Sequence, residues 1–156
     1  MMDNMVSKYI NFSNAKKEFS GWTGINSPGE LEKESGIWVT KAGARRFPKG
    51  FMYNPDKNTH WEWGAIIEGG FEFEYNDKST KAEEGYSYIM PPDITLSARS
   101  INNPFLVWIE ISGPLAVKAL ERFSGTQGKL VFHKYTHEQI KSILKIANLV
   151  HEHPGG

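Results

Sequence analysis

The chain has 156 residues, enough for one domain with a substantial core, and its 18 Lys plus Arg balance 18 Asp plus Glu to a formal charge of zero. No basic excess points to nucleic acid or anionic lipid, and the lack of cysteine excludes disulfide scaffolds, thiolate metal sites and cysteine nucleophiles. Aromatic residues make up 13% of the chain, so many rings must be buried or line something.

Residues 1–35 read as a polar N-terminal arm. Asp3, Lys8, Asn11, Lys16 and Lys17 break any apolar segment of signal-peptide length, and Ser27-Pro28-Gly29 marks a turn. The longest apolar run, Phe105 to Ile109, falls far short of the roughly 20 residues of a spanning helix, and the expectation is a cytoplasmic protein without membrane contact.

Residues 36–112 carry short alternating segments between turn residues, the pattern of an all-β barrel or sandwich. Arg45 and Arg46 alternate across a first strand, so one of them points inward, where it suits a carboxylate. From Trp61 to Glu68, Trp61, Trp63, Ala65 and Ile67 share one face and Glu62, Gly64, Ile66 and Glu68 the other. Gly69-Gly70 is expected to turn the chain. Phe71, Phe73 and Tyr75 then alternate with Glu72 and Glu74, a strand with one wet face, and Asn76-Asp77 supplies the next turn. Further strands follow with Tyr86, Tyr88 and Met90, with Ile94, Leu96 and Ala98, and, after Asn102-Asn103-Pro104, with Phe105, Val107, Ile109 and Ile111.

Over residues 113–153 the period changes from two to 3.6. A helix is predicted from Pro114 to Phe123, a short strand near Leu130 to Phe132, and a second helix that starts with Thr136 and Gln139 as a capping box. Its apolar arc spans Ile140, Ile143, Leu144, Ile146, Ala147 and Val150, and Leu149 widens it beyond what one barrel surface needs. Such a helix either fills a groove of its own domain or divides between the barrel and a second copy. The second alternative makes Ile140, Ile143, Ile146, Ala147, Leu149 and Val150 the dimerisation residues.

The segment from His60 to Ser100, followed by FLVWIEISGP and two helices, resembles the N-terminal effector-binding domain of AraC-type bacterial transcription regulators, a branch of the cupins. The resemblance covers about residues 36–151. It implies a mainly β fold: a cupin-like antiparallel β-barrel, or double-stranded β-helix, followed by two C-terminal α-helices that dimerise. It also implies a small organic effector in the barrel. DNA contact would belong to a further domain that this chain lacks, residues 154–156 being the start of a linker.

The cupin metal frame disagrees with catalysis. Its first motif, Gly-x5-His-x-His-x3-Glu-x6-Gly, meets Gly50, Glu62 and Gly69 here, but Asp56 and Asn58 stand at the histidine positions. In the second, Gly85 and Pro91 fit while Leu96 replaces the ligand histidine. Three imidazoles are missing, and leucine has no lone pair to donate. We therefore expect no metal, no cofactor and no catalytic residue. A loose oxygen site of Asp56, Asn58, His60 and Glu62 is outweighed by a solvated turn. The expected effector-binding residues are Arg45, His60, Trp61, Trp63, Phe71, Phe73, Tyr86, Tyr88 and Trp108, which suit a sugar or an aromatic or carboxylate metabolite. The alternatives are a stand-alone cupin enzyme, such as a sugar isomerase or dioxygenase, and a carbohydrate-binding module that uses the tryptophans.

Overall fold

A computed structural model describes residues 21–54, 60–124 and 129–152. Most of the expected arm, the whole of the expected linker, and Asp56 and Asn58 of the metal frame lie outside the described residues.

The elements in chain order are β1 (Gly21–Ile25), α1 (Glu30–Ser35), β2 (Trp38–Arg46), β3 (Met52–Tyr53), β4 (Trp61–Tyr75), β5 (Lys78–Glu83), β6 (Tyr86–Met90), β7 (Ser97–Ser112), α2 (Pro114–Ser124), β8 (Val131–Lys134) and α3 (His137–Glu152). The strands form one antiparallel sheet in the order β1-β2-β7-β4-β6-β8, with β3 added to β7 and β5 to β4. The path is open, since β1 and β8 at its ends do not pair. The architecture is cupin-like, and β1 adds a strand ahead of the expected start of the barrel at residue 36.

Two strands do most of the folding. The expected turn at Gly69-Gly70 is instead a bulge inside one long strand, β4. Its register with β7 slips between Ile66 and Glu68 and again between Glu68 and Gly70, while Gly69 adopts φ 67°. Asn102, at φ 61°, lies likewise within a continuous β7, so the expected separate strands there are one. Bulges bend strands and increase their twist. The sheet therefore folds into two leaves: a main one of β1, β2, β6, β8 and the first half of β4 with the second half of β7, and a smaller one of β3, β5 and the remaining halves. Gly69 is required at the bend, because a Cβ there would stand 2.8 Å from Cα of Pro104. Ile94 and Leu96 are buried, but they approach β7 as a loop and not as a strand. The β4–β5 hairpin closes through Asn76 and Asp77, both at positive φ, the geometry a two-residue turn demands.

The C-terminal helices follow expectation. At the start of α3 the Thr136 backbone N–H donates to Gln139 Oε1 at 2.8 Å and the Gln139 N–H donates to Thr136 Oγ1 at 3.2 Å. Ile140, Ile143, Leu144, Ala147 and Val150 are buried against Ala42, Ala44, Ala65 and Val107 of the main leaf, on the side away from the smaller leaf. Small residues on β2 let the helix lie close to the sheet. Four of the six expected dimerisation residues, Ile140, Ile143, Ala147 and Val150, are thus used within their own chain. Ile146 is half-buried, and Leu149 alone of the set is exposed, at 50%.

The capping box gives a direct test. Thr136→Ala removes one of its two side-chain bonds and should lower unfolding stability by about 1 kcal/mol in urea titrations, with an unchanged slope.

Candidate ligand-binding site

The inner surface of the main leaf is built from transverse rows of register partners. The first row runs Lys41, Glu110, Glu62 and Met90; the second Gly43, Trp108, Gly64, Tyr88 and Phe132; the third Arg45, Leu106 and Ile66. A polar row, a ring-and-glycine row and a largely aliphatic row therefore follow one another across four strands. The glycines permit the rings of the second row to lie along the sheet. A Cβ on Gly43 would meet the Trp108 ring at 2.3 Å, and one on Gly64 would meet Tyr88 Cζ at 2.3 Å. Larger residues there would drive both rings into the space between the leaves.

That space is a cavity of about 270 Å³. Phe71, Phe73, Ala98 and Leu96 close it from the side of the smaller leaf, and Phe47, Phe51 and Tyr53 from the connection between β2 and β4. The rings touch one another: Phe71 and Phe73 have centroids 6.1 Å apart, Phe73 and Tyr88 5.2 Å, and Phe47 and Phe71 5.8 Å in an edge-to-face pair. Lys41, Arg45, Glu62, Glu110 and Thr23 supply the charged and polar part of the wall. Arg45 points into this wall, its Nη2 donating to Thr23 Oγ1 at 3.3 Å, while Arg46 faces the other way, bonded to Glu68 at 2.6 Å and set over the Phe105 ring. One inward arginine of the two is what the alternation implies.

The acidic row is the electrostatic centre. Glu62 is only 6% exposed and accepts a hydrogen bond from the Tyr88 hydroxyl on Oε2 at 2.5 Å. Burial pushes its carboxyl up to about 7, the neighbouring Glu110 adds to the rise, and the Tyr88 bond opposes it. Glu110, 8% exposed, pairs through Oε2 with His60 Nε2 at 3.2 Å. That bond raises the imidazole against the opposing effect of its partial burial. The Tyr88 hydroxyl is held well above its ordinary range, by burial first and then by the Glu62 charge. Among the described residues no group of three or more His, Asp or Glu is arranged to hold a metal ion.

The cavity brings together Arg45, Phe71, Phe73, Tyr88 and Trp108 from the sequence-derived set. His60 is not in the wall but pairs with Glu110, which is. Tyr86 packs at the edge of the ring cluster, with Lys134 Nζ 5.8 Å from its ring centroid. Trp61 and Trp63 are on the opposite side of the sheet. Trp61 is buried beside Ile89 and Ala116 of α2, with its indole N–H unbonded, and Trp63 lines a second space of about 410 Å³ between the sheet and the helices. The reason is the bulge. Without it Trp61, Trp63, Phe71 and Phe73, all odd-numbered, share a face; the extra residue near Glu68 turns Glu62, Gly64 and Ile66 inward together with Phe71 and Phe73.

Sequence reasoning also passed over Lys41, Glu110, Phe47, Phe51 and Tyr53. One signal was present: Leu106, Trp108 and Glu110 alternate with Phe105, Val107, Ile109 and Ile111, and a glutamate in a strand apolar on both faces needs a reason.

A two-leaved β-fold with a ring-walled internal cavity on one side and helices on the other defines a small-molecule-binding domain of the cupin type. Residues 43–152 match the AraC-like ligand binding domain, and the chain belongs to that family. Comparison with the curated proteins finds no match. Among solved structures it is similar to ToxT from Vibrio cholerae, with 13% identity, 72% of this chain and 48% of that one covered, and a TM-score of 0.54. It is also similar to unsaturated-fatty-acid-bound ToxT from strain SCE256, with 12% identity, 71% and 45% covered, and a TM-score of 0.52. The cupin domain of Schizosaccharomyces pombe Cnp3 aligns at 13% identity over 69% of this chain and 72% of that one, with a TM-score of 0.46. The chain spans about half the length of ToxT, and at these identities the likeness is one of fold.

The raised Glu62 makes stability depend on pH. Its ordinary value is 4.5, so between there and about 7 the folded state binds more protons than the unfolded state, and stability falls as pH rises. Glu62→Gln should therefore be more stable than the parent at pH 8, by on the order of 3 kcal/mol, and should lose that advantage at pH 4. Urea titrations of both proteins at the two pH values check this.

Proposed function

We propose that this domain is a sensor: it holds a small organic effector between the leaves and performs no chemistry on it. The observation that carries the reading is the cavity itself, lined mainly by rings and aliphatic groups with a few polar side chains among them. Leu96 contributes to that wall at the position where the cupin frame calls for a histidine ligand, so the donor set is wrong for the metal chemistry of catalytic cupins. Of the tryptophans that favoured a carbohydrate-binding module, Trp61 is buried against α2, and Trp63 is half-buried on the helix side of the sheet, away from the ring-walled cavity.

The mechanism is differential binding. An occupant changes the parent regulator only through contacts that differ between two arrangements of the chain. Thr23 of β1 and Arg45 of β2 are bonded to each other and both line the cavity. An effector in the cavity therefore reaches β1, a strand within the expected N-terminal arm. The signal leaves, in this reading, through a pair of copies associated by the outer sides of α2 and α3, where Leu149, Leu115 and Val117 are exposed. DNA contact belongs to a further domain of the parent protein, and the site of action is the cytoplasm. No helix among the described residues is long and apolar enough to cross a membrane.

Two measurements test this. In a thermal-shift screen of small metabolites, compounds that stabilise the parent chain should lose their effect on Ala98→Phe, which fills the cavity from the smaller leaf; equal responses would remove the cavity from the function. In sedimentation, the parent chain should run as a dimer and Leu149→Glu as a folded monomer. A monomeric parent, or a dimeric Leu149→Glu, ends the assignment of that surface.

A further inference from the structure

Glu62 and Glu110 face each other on neighbouring strands and both line the cavity, yet they are not equivalent. Glu110 has the His60 imidazole as partner at 3.2 Å, and Lys41 is its register partner on the other side. Glu62 has no cation within ion-pairing distance among the described residues. Among the described residues its one side-chain hydrogen bond is from the Tyr88 hydroxyl to Oε2, which leaves Oε1, of a carboxyl that is 6% exposed, open to the cavity. A buried carboxylate so placed is costly, and the cost is removed by a positive charge or a strong donor brought against the free oxygen. The rest of the chamber agrees. Phe73 packs at a tilt against the Tyr88 ring, and Trp108 lies in the row next to Glu62, so the carboxylate shares its cavity with aromatic rings, whose faces attract cations and whose bodies suit an apolar group.

We propose that the effector is an organic amine: an ammonium nitrogen held by Glu62 Oε1, with an aromatic or branched apolar body among Phe71, Phe73 and Trp108. This rests on the cavity being the effector site and assigns its ligand class. It departs from a carboxylate held by Arg45, because Arg45 already bonds Thr23 and lies two rows from the acidic pair. Glu62 is faced by Glu110 from β7, His60 from the start of β4, Lys41 from β2 and Tyr88 from β6. Lys41 and His60 oppose an incoming cation, and Glu110 and ionised Glu62 favour it. The carboxyl sits near 7 in the empty chamber, so an ammonium ligand draws a proton off it on binding, and affinity rises with pH across that range.

The experiment uses four probes of one shape on the full chain: ethylbenzene, 2-phenylethanol, 2-phenylethylamine and phenylacetate, titrated by calorimetry at pH 8 and pH 6. The expected order is amine first, at least tenfold tighter than the alcohol, with phenylacetate weakest. Glu62→Gln should cost the amine tenfold or more and leave ethylbenzene unchanged, and the amine's advantage should shrink at pH 6. If ethylbenzene and the alcohol bind but the amine gains nothing over them, or phenylacetate binds best, the amine class is overturned and the cavity reading stands. If none of the four binds, the cavity reading falls and the amine class with it.

Discussion

The slip in register around Glu68 is the constraint on which the rest depends. It inserts extra backbone into the longest antiparallel pairing of the molecule and bends β4 and β7 together, so that one continuous sheet becomes two facing leaves. Gly69 makes the bend possible, because no side chain fits between it and Pro104. The same slip decides which residues look into the space between the leaves. The cavity, its aromatic wall and its acidic row are all consequences of one local departure from regular pairing.

Given that bend, the main leaf has to serve two interiors at once. One face of β2, β4 and β7 presents Ala42, Ala44, Ala65, Val107 and Ile109 to α3, and the opposite face presents the transverse rows to the cavity. Both faces are consequently largely apolar; the polar groups toward the cavity are the row containing Lys41, Glu62 and Glu110 and, two rows on, Arg45. Polar groups survive in such a setting only if they are paired or have work to do. Glu110 is paired. Glu62 keeps a tyrosine hydroxyl and an oxygen open to the cavity, at the cost of a carboxyl whose ionisation is moved up to about 7. The two glycines opposite Trp108 and Tyr88 complete the arrangement by letting large rings lie flat, which keeps the chamber open while its wall is built from bulky groups.

The helical flank shows how burial and association compete for one surface. The wide apolar arc of α3 is explained mostly within the chain: each of Ile140, Ile143, Leu144 and Ala147 is buried against the sheet, and burying an aliphatic side chain of the larger kind contributes roughly 1.5–3 kcal/mol. What remains outside on this helix is Leu149, and on α2 Leu115 and Val117 are exposed as well. A helix with such an arc reads the same from its periodicity whether its second face meets its own domain or another copy.

The sequence by itself determined the class of fold, the hairpin at Asn76-Asp77, the helix Pro114–Ser124 to within a residue, the capped start of α3 and the loss of the imidazole set, because each of these is local. A turn, a cap, a period of residues or a missing ligand type is written within a few neighbouring positions. Part of the site was legible in the same way: Phe71, Phe73, Tyr88, Trp108 and the inward Arg45 are cavity residues. Tertiary structure alone decided the rest. Strand alternation names two faces without saying which one is inside, and a one-residue bulge reverses the answer between the ends of the same strand. That is why Trp61 and Trp63 went to the helices, why Glu62 and Glu110 met in the chamber, and why Lys41 joined them from a strand far away in the chain: residues become partners through register across strands, and a linear sequence carries no record of register until the strands are paired.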